Sequence, residues 1–552
     1  MHTSQRGPRA AVLARCLATC LAALALPIAS AAAASADAGL RLRVAQGALA
    51  GTPDKGARAF LGIPYAQPPV GALRWRAPLP AKAWQGTRDA THFGPGCMQP
   101  PPDPFGAWTA EYMAGPDMSE DCLTLNVWAP PDAPRDAKLP VLVWIHGGAF
   151  MGGSGAIPIY NGAALAGRGA VVVTINYRVG IFGFMAHPEL SAESPRHVSG
   201  NYGLLDAIEA LHWVQANIAR FGGDPARVTI AGQSAGAAMV NDLVVSPDAK
   251  GLFARGIAES GSGMGIAMQS LAAAERQGTS IQQAAGLASL AALRALPAAQ
   301  AQALKVPPPP GAAGDNLRLP FGPVLDGVVQ PVDAGRGDVA VANPVPLLTG
   351  YNADEDRSMT GKAVTAQEFV AKVRTRYGAS AERLLALYPH ADDAQADDSD
   401  RLLARDRYMV SLTLWSLART AASGQPVHGY FFDHVLPGPD AAKFRSFHTA
   451  EVPYVFGVLE APGRAFGPQD HAVSDVLQGY WLQFMRSGEP NGGTAGGVAG
   501  GAPLPQWPRL EAGVGKVMRL DAAPAPVFPA SSGERYQALR DYVAAGGWLS
   551  MF

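Results

Sequence analysis

Charge is scarce in this chain, and neither sign dominates. Only 16% of its 552 residues are Asp, Glu, Lys or Arg, and 44 basic against 45 acidic residues leave a net charge of −1. No basic stripe runs along the sequence to follow a phosphate backbone, which excludes a nucleic-acid partner, and no acidic tail suggests a disordered role. No cluster of metal-ligating side chains and no phosphate-cradling loop stands out, so neither a metal nor a cofactor is expected. Long apolar runs are missing as well. The one run of note, Cys16 to Ala29, is short for a bilayer.

That run follows Arg6, Arg9 and Arg15 and precedes Ala34-Ser-Ala36, the order of charged, apolar and small-residue regions in a secretory signal peptide. Residues 1–36 are therefore expected to be removed after Ala36. The mature chain, 37–552, would be secreted or periplasmic, with no stable membrane insertion. Cysteine is rare too, at 4 in the whole chain, and removing the signal leaves Cys97 and Cys122. An even pair bound for an oxidising compartment points to a bridge, worth about 3 kcal/mol by loop closure.

Apolar residues are plentiful, at 48%, enough for a large core. Short β-like runs occur at Ala59–Tyr65, Leu123–Trp128, Leu139–Ile145, Val171–Tyr177 and Val228–Ala231. Between the last two, Asn201–Phe221 carries Leu204, Leu205, Ile208, Leu211, Trp213, Val214 and Ile218 at helical spacing. Continuous apolar strands separated by helices imply a mostly parallel α/β sheet covered on both faces. Helical patterns return over Leu271–Leu304 and Thr365–Ala422, strand-like ones at Val345–Gly350 and Val427–Phe432. A Gly-rich surface loop, Gly492–Gly501, and a final helix near Glu534–Ala545 complete one large domain with a helical insertion.

Gly232-Gln233-Ser234-Ala235-Gly236 stands where a β-like run meets a helical stretch. Small neighbours let the chain turn sharply there and expose the serine hydroxyl as a nucleophile. In a chain with 63 glycines the pentapeptide alone is within the reach of chance. Its partner is what gives it weight: His146-Gly-Gly-Ala-Phe150 closes another apolar run. Acyl transfer needs two such loops, one for the attacking oxygen and one offering N–H groups to an oxyanion.

A serine also needs a base, and the base needs an orienting carboxylate. In Tyr351-Asn-Ala-Asp354-Glu355-Asp356 three carboxylates share one turn, and local physics does not choose among them; Asp326 is a further candidate in an Asp-Gly turn. Beyond lie His390, His428, His434, His448 and His471. His448 has a modest preference because it follows the last β-like run in a loop, whereas His428 falls inside a strand pattern.

Phe60-Leu-Gly-Ile-Pro-Tyr-Ala66, Ser119-Glu-Asp-Cys-Leu-Thr-Leu-Asn-Val127, His146–Phe150, Asn176-Tyr-Arg178, Gly200-Asn-Tyr-Gly-Leu-Leu-Asp206, Phe221-Gly-Gly-Asp-Pro225 and the Ser234 elbow are collinear. Together they resemble the type B carboxylesterases of the cholinesterase-like group, close to bacterial para-nitrobenzyl esterases. The resemblance implies an α/β-hydrolase fold and a serine hydrolase of small-molecule carboxylic esters working through an acyl-enzyme. It implies Ser234 as nucleophile, Glu355 as acid and His448 as base, with oxyanion donors at Gly148, Ala149 and Ala235. It further implies support of the acid by Ser260, a Cys97–Cys122 disulfide, and a substrate pocket bounded by Trp108, Tyr112 and Phe150.

Two positions depart from the group. Gln233 stands where glutamate is common, and Tyr112 where cholinesterases carry tryptophan ten residues before the second cysteine. Both weaken the case for a cationic choline ester and favour neutral esters. A non-catalytic binding or adhesion protein of the same fold is the alternative from another class, disfavoured because every triad position is filled. Amide, lactone or β-lactam hydrolysis would use the same machinery.

Overall fold

A computed structural model describes residues 1–2, 39–263, 267–307, 319–339, 342–512 and 515–550. The expected signal peptide falls almost wholly on residues outside these. Among the described residues, no helix is long and apolar enough to cross a membrane.

An eleven-stranded sheet forms the centre. Its strands are β1 (Thr52–Asp54), β2 (Ala57–Pro64), β3 (Thr124–Ala129), β4 (Leu139–Ile145), β5 (Val171–Ile175), β6 (Gly223–Gln233), β7 (Arg255–Glu259), β8 (Leu347–Asn352), β9 (Val427–Phe432), β10 (Val517–Leu520) and β11 (Ala525–Val527). The order across the sheet is β11-β10-β9-β8-β7-β6-β4-β5-β3-β2-β1. From β10 through to β5 neighbours run parallel; β11 at one edge and β3, β2 and β1 at the other are antiparallel.

Alternation along each strand divides the apolar residues between two cores. Val141, Val143, Val171, Val173, Val228 and Ile230 join one core with Leu204, Leu211 and Val214 of α1 (Tyr202–Asn217) and Val240 and Leu243 of α2 (Ala235–Val245). Leu142, Trp144, Val172, Ile257 and Leu348 point the other way, onto Val473, Leu477 and Trp481 of the helix Pro468–Ser487. Both faces are thereby covered, and the strands read as continuous apolar runs for that reason.

The helical pattern at 271–304 resolves into α3 (Leu271–Ala284) and two short helices, Leu290–Arg294 and Ala298–Gln302. That at 365–422 becomes α4 (Ala366–Tyr377), Ala381–Leu387 and the long α5 (Asp393–Ser423). α4 begins with a complete capping box between Thr365 and Glu368. These helices enclose a third core, where Phe369, Val373, Leu384 and Leu403 meet Leu539 of the C-terminal helix α7 (Gly533–Ala544); the helix Pro468–Ser487 is α6 in this numbering.

Gly492–Gly501 is a surface loop, exposed at Gly492 and Val498–Gly500, with one side packed on α6: a Cβ on Gly479 of α6 would stand 2.3 Å from the Thr494 carbonyl oxygen and one on Gly497 would strike the Leu482 side chain at 2.6 Å. Its glycines permit the close approach of loop and helix.

Candidate active site

Ser234 occupies the hinge between β6 and α2 with φ 60° and ψ −123°, a backbone conformation that side-chain-bearing residues rarely adopt. The turn is possible because glycines stand two residues to either side: a Cβ on Gly236 would lie 2.0 Å from the Ile145 carbonyl oxygen and one on Gly232 2.6 Å from the Gly236 carbonyl carbon. The loop after β4 turns as abruptly, with positive φ at Gly148, Ala149 and Phe150. The Gly148 carbonyl accepts from Met151 and Gly152 at 2.9 and 3.1 Å, while the N–H groups of Gly148 and Ala149 donate to no other group among the described residues. Ala235 is the first residue of α2, so its N–H has no partner within the helix either. Three uncommitted donors therefore flank Ser234, one of them at the positive end of a helix dipole.

Of the three carboxylates in one turn, only Glu355 reaches a histidine. Its Oε2 meets Nδ1 of His448, and its Oε1 accepts from Ser260 Oγ at 2.6 Å and from the Asn352 N–H at 2.8 Å. Asp354 is taken by Arg401 at 3.0 Å and Arg445 at 3.4 Å. Asp356 lies 3.9 Å from Lys372, and burial raises its pKa. Asp326 accepts the N–H groups of Val328, Val329 and Gln330, the work of a turn-forming aspartate.

The other histidines are occupied differently. His428 is buried in β9, where burial lowers its pKa to about 4. His434 bonds Asp470 at 2.8 Å, His390 bonds the Tyr388 carbonyl, and His471 is exposed. Burial opposes protonation of His448 as well, but the charge and hydrogen bond of Glu355, with Glu451 beyond, outweigh it and raise its pKa. Sequence reasoning did not find Ser358, whose hydroxyl accepts the His448 N–H at 2.8 Å and donates to the Glu355 carbonyl at 2.6 Å. Nor did it find Asn352. A polar residue beside an acidic turn carries no distinguishing signal until the fold places it.

Ser234, Glu355 and His448 line a single cavity of about 1060 Å³ with Gly148, Ala149, Ala235, Gln233 and Ser260. Trp108, Tyr112 and Phe150 line it too. The Trp108 ring stands edge-on, 6.2 Å from the His448 ring, with its Nε1–H on Thr449 Oγ1 at 3.0 Å. Phe150 packs edge-on against Phe184 at 5.2 Å. Tyr112 packs on Phe447 at 5.7 Å, and the Arg464 guanidinium lies 5.9 Å from its ring centre. Cys97 and Cys122 are joined in a disulfide, closing the loop that carries Trp108 and Tyr112.

The remaining motifs serve as scaffold. Arg178 is buried against Asp206 through two side-chain bonds of 2.8 and 2.7 Å, and Asn176 ties the Gly155 N–H to the carbonyls of Pro95 and Cys122. Asn176 thereby anchors the glycine loop and the disulfide loop beside β5, and Arg178 ties the same segment to α1.

The sequence profile of the Carboxylesterase family matches residues 39–538. The chain belongs to that family. Its fold is accordingly the α/β-hydrolase fold, and it is a carboxylic ester hydrolase. It is 37% identical over 503 residues to a fumonisin B1 esterase of Sphingopyxis macrogoltabida, covering 89% of this chain and 88% of that protein. It is 36% identical over 465 residues to a para-nitrobenzyl esterase of Bacillus subtilis (strain 168), covering 81% and 89%. A medium-chain fatty acyl-CoA hydrolase precursor of Anas platyrhynchos is 34% identical over 478 residues, covering 80% and 82%.

Proposed function

We propose that this carboxylesterase cleaves neutral carboxylic esters through an acyl-enzyme on Ser234. The observation that carries the reading is the clamp on Glu355: two donors hold one oxygen while the other meets Nδ1 of His448, in the cavity that Ser234 also lines. Glu355 fixes the tautomer in which Nδ1 carries the proton, leaving Nε2 free to accept one.

In the first half-reaction the Ser234 oxygen attacks the ester carbonyl as its proton passes to His448. The charge that develops on the carbonyl oxygen is met by the N–H groups of Gly148, Ala149 and Ala235, each worth roughly 3–4 kcal/mol if lost. Collapse of the tetrahedral intermediate breaks the ester C–O bond, and His448 returns the proton to the departing alcohol. Water then attacks the acyl-serine by the same route, releasing the acid and restoring Ser234.

Apolar residues dominate the walls of the cavity, and its volume accommodates bulky esters. The relatives' names span a fumonisin, a nitrobenzyl group and a fatty acyl thioester. Export with removal of residues 1–36 fits the Cys97–Cys122 disulfide. A panel of para-nitrophenyl esters beside an anilide and a β-lactam tests the substrate class, and an organophosphonate should label Ser234. Preferential turnover of the anilide or the β-lactam would reassign the substrate; labelling elsewhere would reassign the nucleophile.

A further inference from the structure

Behind the Ser234 elbow lie two acids that the mechanism above does not use. Glu259 ends β7, opposite Gln233 in the register of β6, and its carbonyl accepts the Ser234 N–H at 2.9 Å. Glu451 follows His448 by three residues. Both side chains are fully buried.

Among the described residues, each takes a hydrogen bond from one other residue. Glu259 Oε1 accepts from Trp481 Nε1 at 2.8 Å, and Glu451 Oε2 accepts from Asn352 Nδ2 at 2.5 Å. Glu259 Oε2, Glu451 Oε1, the Tyr430 hydroxyl and Gln233 Nε2 have no hydrogen-bond partner among the described residues. Glu355, by contrast, has three donors. Asn352 connects the two arrangements, since its backbone N–H serves Glu355 and its side chain serves Glu451.

Two full charges buried with one other donor residue apiece would be strongly unfavourable, whereas one proton carried by the pair relieves both desolvation and repulsion. We propose that the buried acids Glu259 and Glu451 together carry one proton, with Glu259 the neutral acid, and that the one remaining charge on Glu451 stabilises the His448 imidazolium where Gln233 supplies none. Glu451 is then a positioning residue acting through His448. The proposal rests on the reading of His448 as the general base.

The electrostatics agree with this geometry. Burial, then the neighbouring Glu451, raises Glu259 well above the usual carboxylate range, and burial, then Glu355, raises Glu451 to about 7. The groups acting on the pair from other elements are Glu355, Tyr112, Tyr160 and Tyr430, with His448 from the same loop. His448 is the one among these that forms a cation.

The test is the acid limb of kcat/KM against pH for para-nitrophenyl acetate, in full-length variants that retain Ser234. Glu451→Gln should lower the limb's midpoint by about half a unit or more, because His448 loses a neighbouring charge. Glu259→Gln should not lower it, since an amide replaces a carboxyl that is already neutral. Gln233→Glu in the Glu451→Gln background should move the limb back up, a rescue that loss of packing would not allow. An unmoved limb in Glu451→Gln, or an equal fall in Glu259→Gln, overturns the proposal. Should Glu451→Gln fail to fold, infrared difference spectra remain: a protonated-carboxyl stretch present at a pH well above 7, where Glu451 is ionised, should vanish in Glu259→Gln, and its persistence would overturn the assignment. Full activity in Ser234→Ala would instead overturn the reading of the site, a separate outcome.

Discussion

The cavity has two walls built on different terms. At the carboxyl ends of β4, β6 and β8 the chain is forced into conformations that few sequences tolerate: positive φ at Ala149, Phe150 and Ser234, a glycine where a Cβ would stand 2.0 Å from a carbonyl oxygen, and Glu355 held by bonds from Ser260 just after β7, from β8 and from the His448 loop. The helical wall is α4 and α5, which present Lys372, Arg376, Arg407 and Tyr408 from elements that pack around an apolar core of their own. Lys372 is tied across to Asp400 of α5 at 2.7 Å. One wall requires particular atoms at particular points; the other requires only that two helices stay together. On the proposed mechanism the chemistry belongs to the first wall, and the second shapes part of the substrate space beside Trp108, Tyr112 and Phe150.

The strongest way to break this contrast is Ser234→Ala. Turnover should fall by about 10⁴-fold or more, while the melting temperature stays close to wild type, because one oxygen at the cavity surface is lost. Near-wild-type turnover would mean that the strained hinge is not where the chemistry occurs.

The converse change is Phe369→Ala in the helical core. This ring is fully buried among Val373, Leu384 and Leu403, and its removal should cost about 3–5 kcal/mol of stability. Turnover of a small acetate ester should persist in the folded enzyme, with KM rising more for bulky esters than for small ones. Denaturant melts with parallel kinetics check both halves. A collapse of kcat for the small ester would show that the helices hold the triad as well as the substrate.

These walls differ in legibility for the same physical reason. Glycine where a Cβ cannot fit is an unavoidable residue choice, so the elbow and the His146–Phe150 loop were visible as sequence, and continuous apolar strands announced a sheet covered on both faces. Selecting Glu355 from Asp354 and Asp356 was beyond local reading, since the choice is made by a histidine 93 residues away. Ser358, Asn352 and Glu259 were silent because serine, asparagine and glutamate suit many turns and strand ends. The helical blocks were visible in outline, but their breaks at Gly378 and near Tyr388 depend on how three helices meet.

Histidine protonation sharpens the contrast within the sheet itself. Burial lowers both His146, stacked on Tyr177 at 4.3 Å, and His428 to about 4. Between the unfolded value of about 6.5 and 4, the unfolded chain binds protons that these two rings cannot, so they make stability fall as pH falls through that window. Each contributes on the order of 3 kcal/mol at the acid end. His448 has the opposite sign: its raised value favours the folded state below about 6.5, and that contribution is lost as pH rises through the folded value. Urea melts at pH 7 and pH 5 should show a net loss on acidification, and His428→Gln should recover part of it. An unchanged midpoint between the two pH values would refute the assignment of buried neutral rings.

The smallest expected effect concerns charge beside the elbow. Gln233 places a neutral amide where a carboxylate would attract a quaternary ammonium, so an uncharged ester should exceed its isosteric choline ester in kcat/KM. Gln233→Glu should narrow that gap by about 1 kcal/mol, roughly fivefold, and the narrowing should shrink with added salt to the extent that the cavity is open to screening. Tyr112→Trp should add almost nothing. A tryptophan would offer cation–π attraction of about 0.5–2 kcal/mol only with a free face, and here Arg464 already lies 5.9 Å from the ring centre, held by Glu111 at 2.6 Å, the Pro437 carbonyl at 2.9 Å and Thr109 at 2.8 Å. Comparing the single and double variants on the paired esters separates the two causes. A double variant tenfold better than Gln233→Glu on the choline ester would show the aromatic face to be open, and faster choline-ester turnover by the unmodified enzyme would locate an anionic site on the helical wall instead of at the elbow.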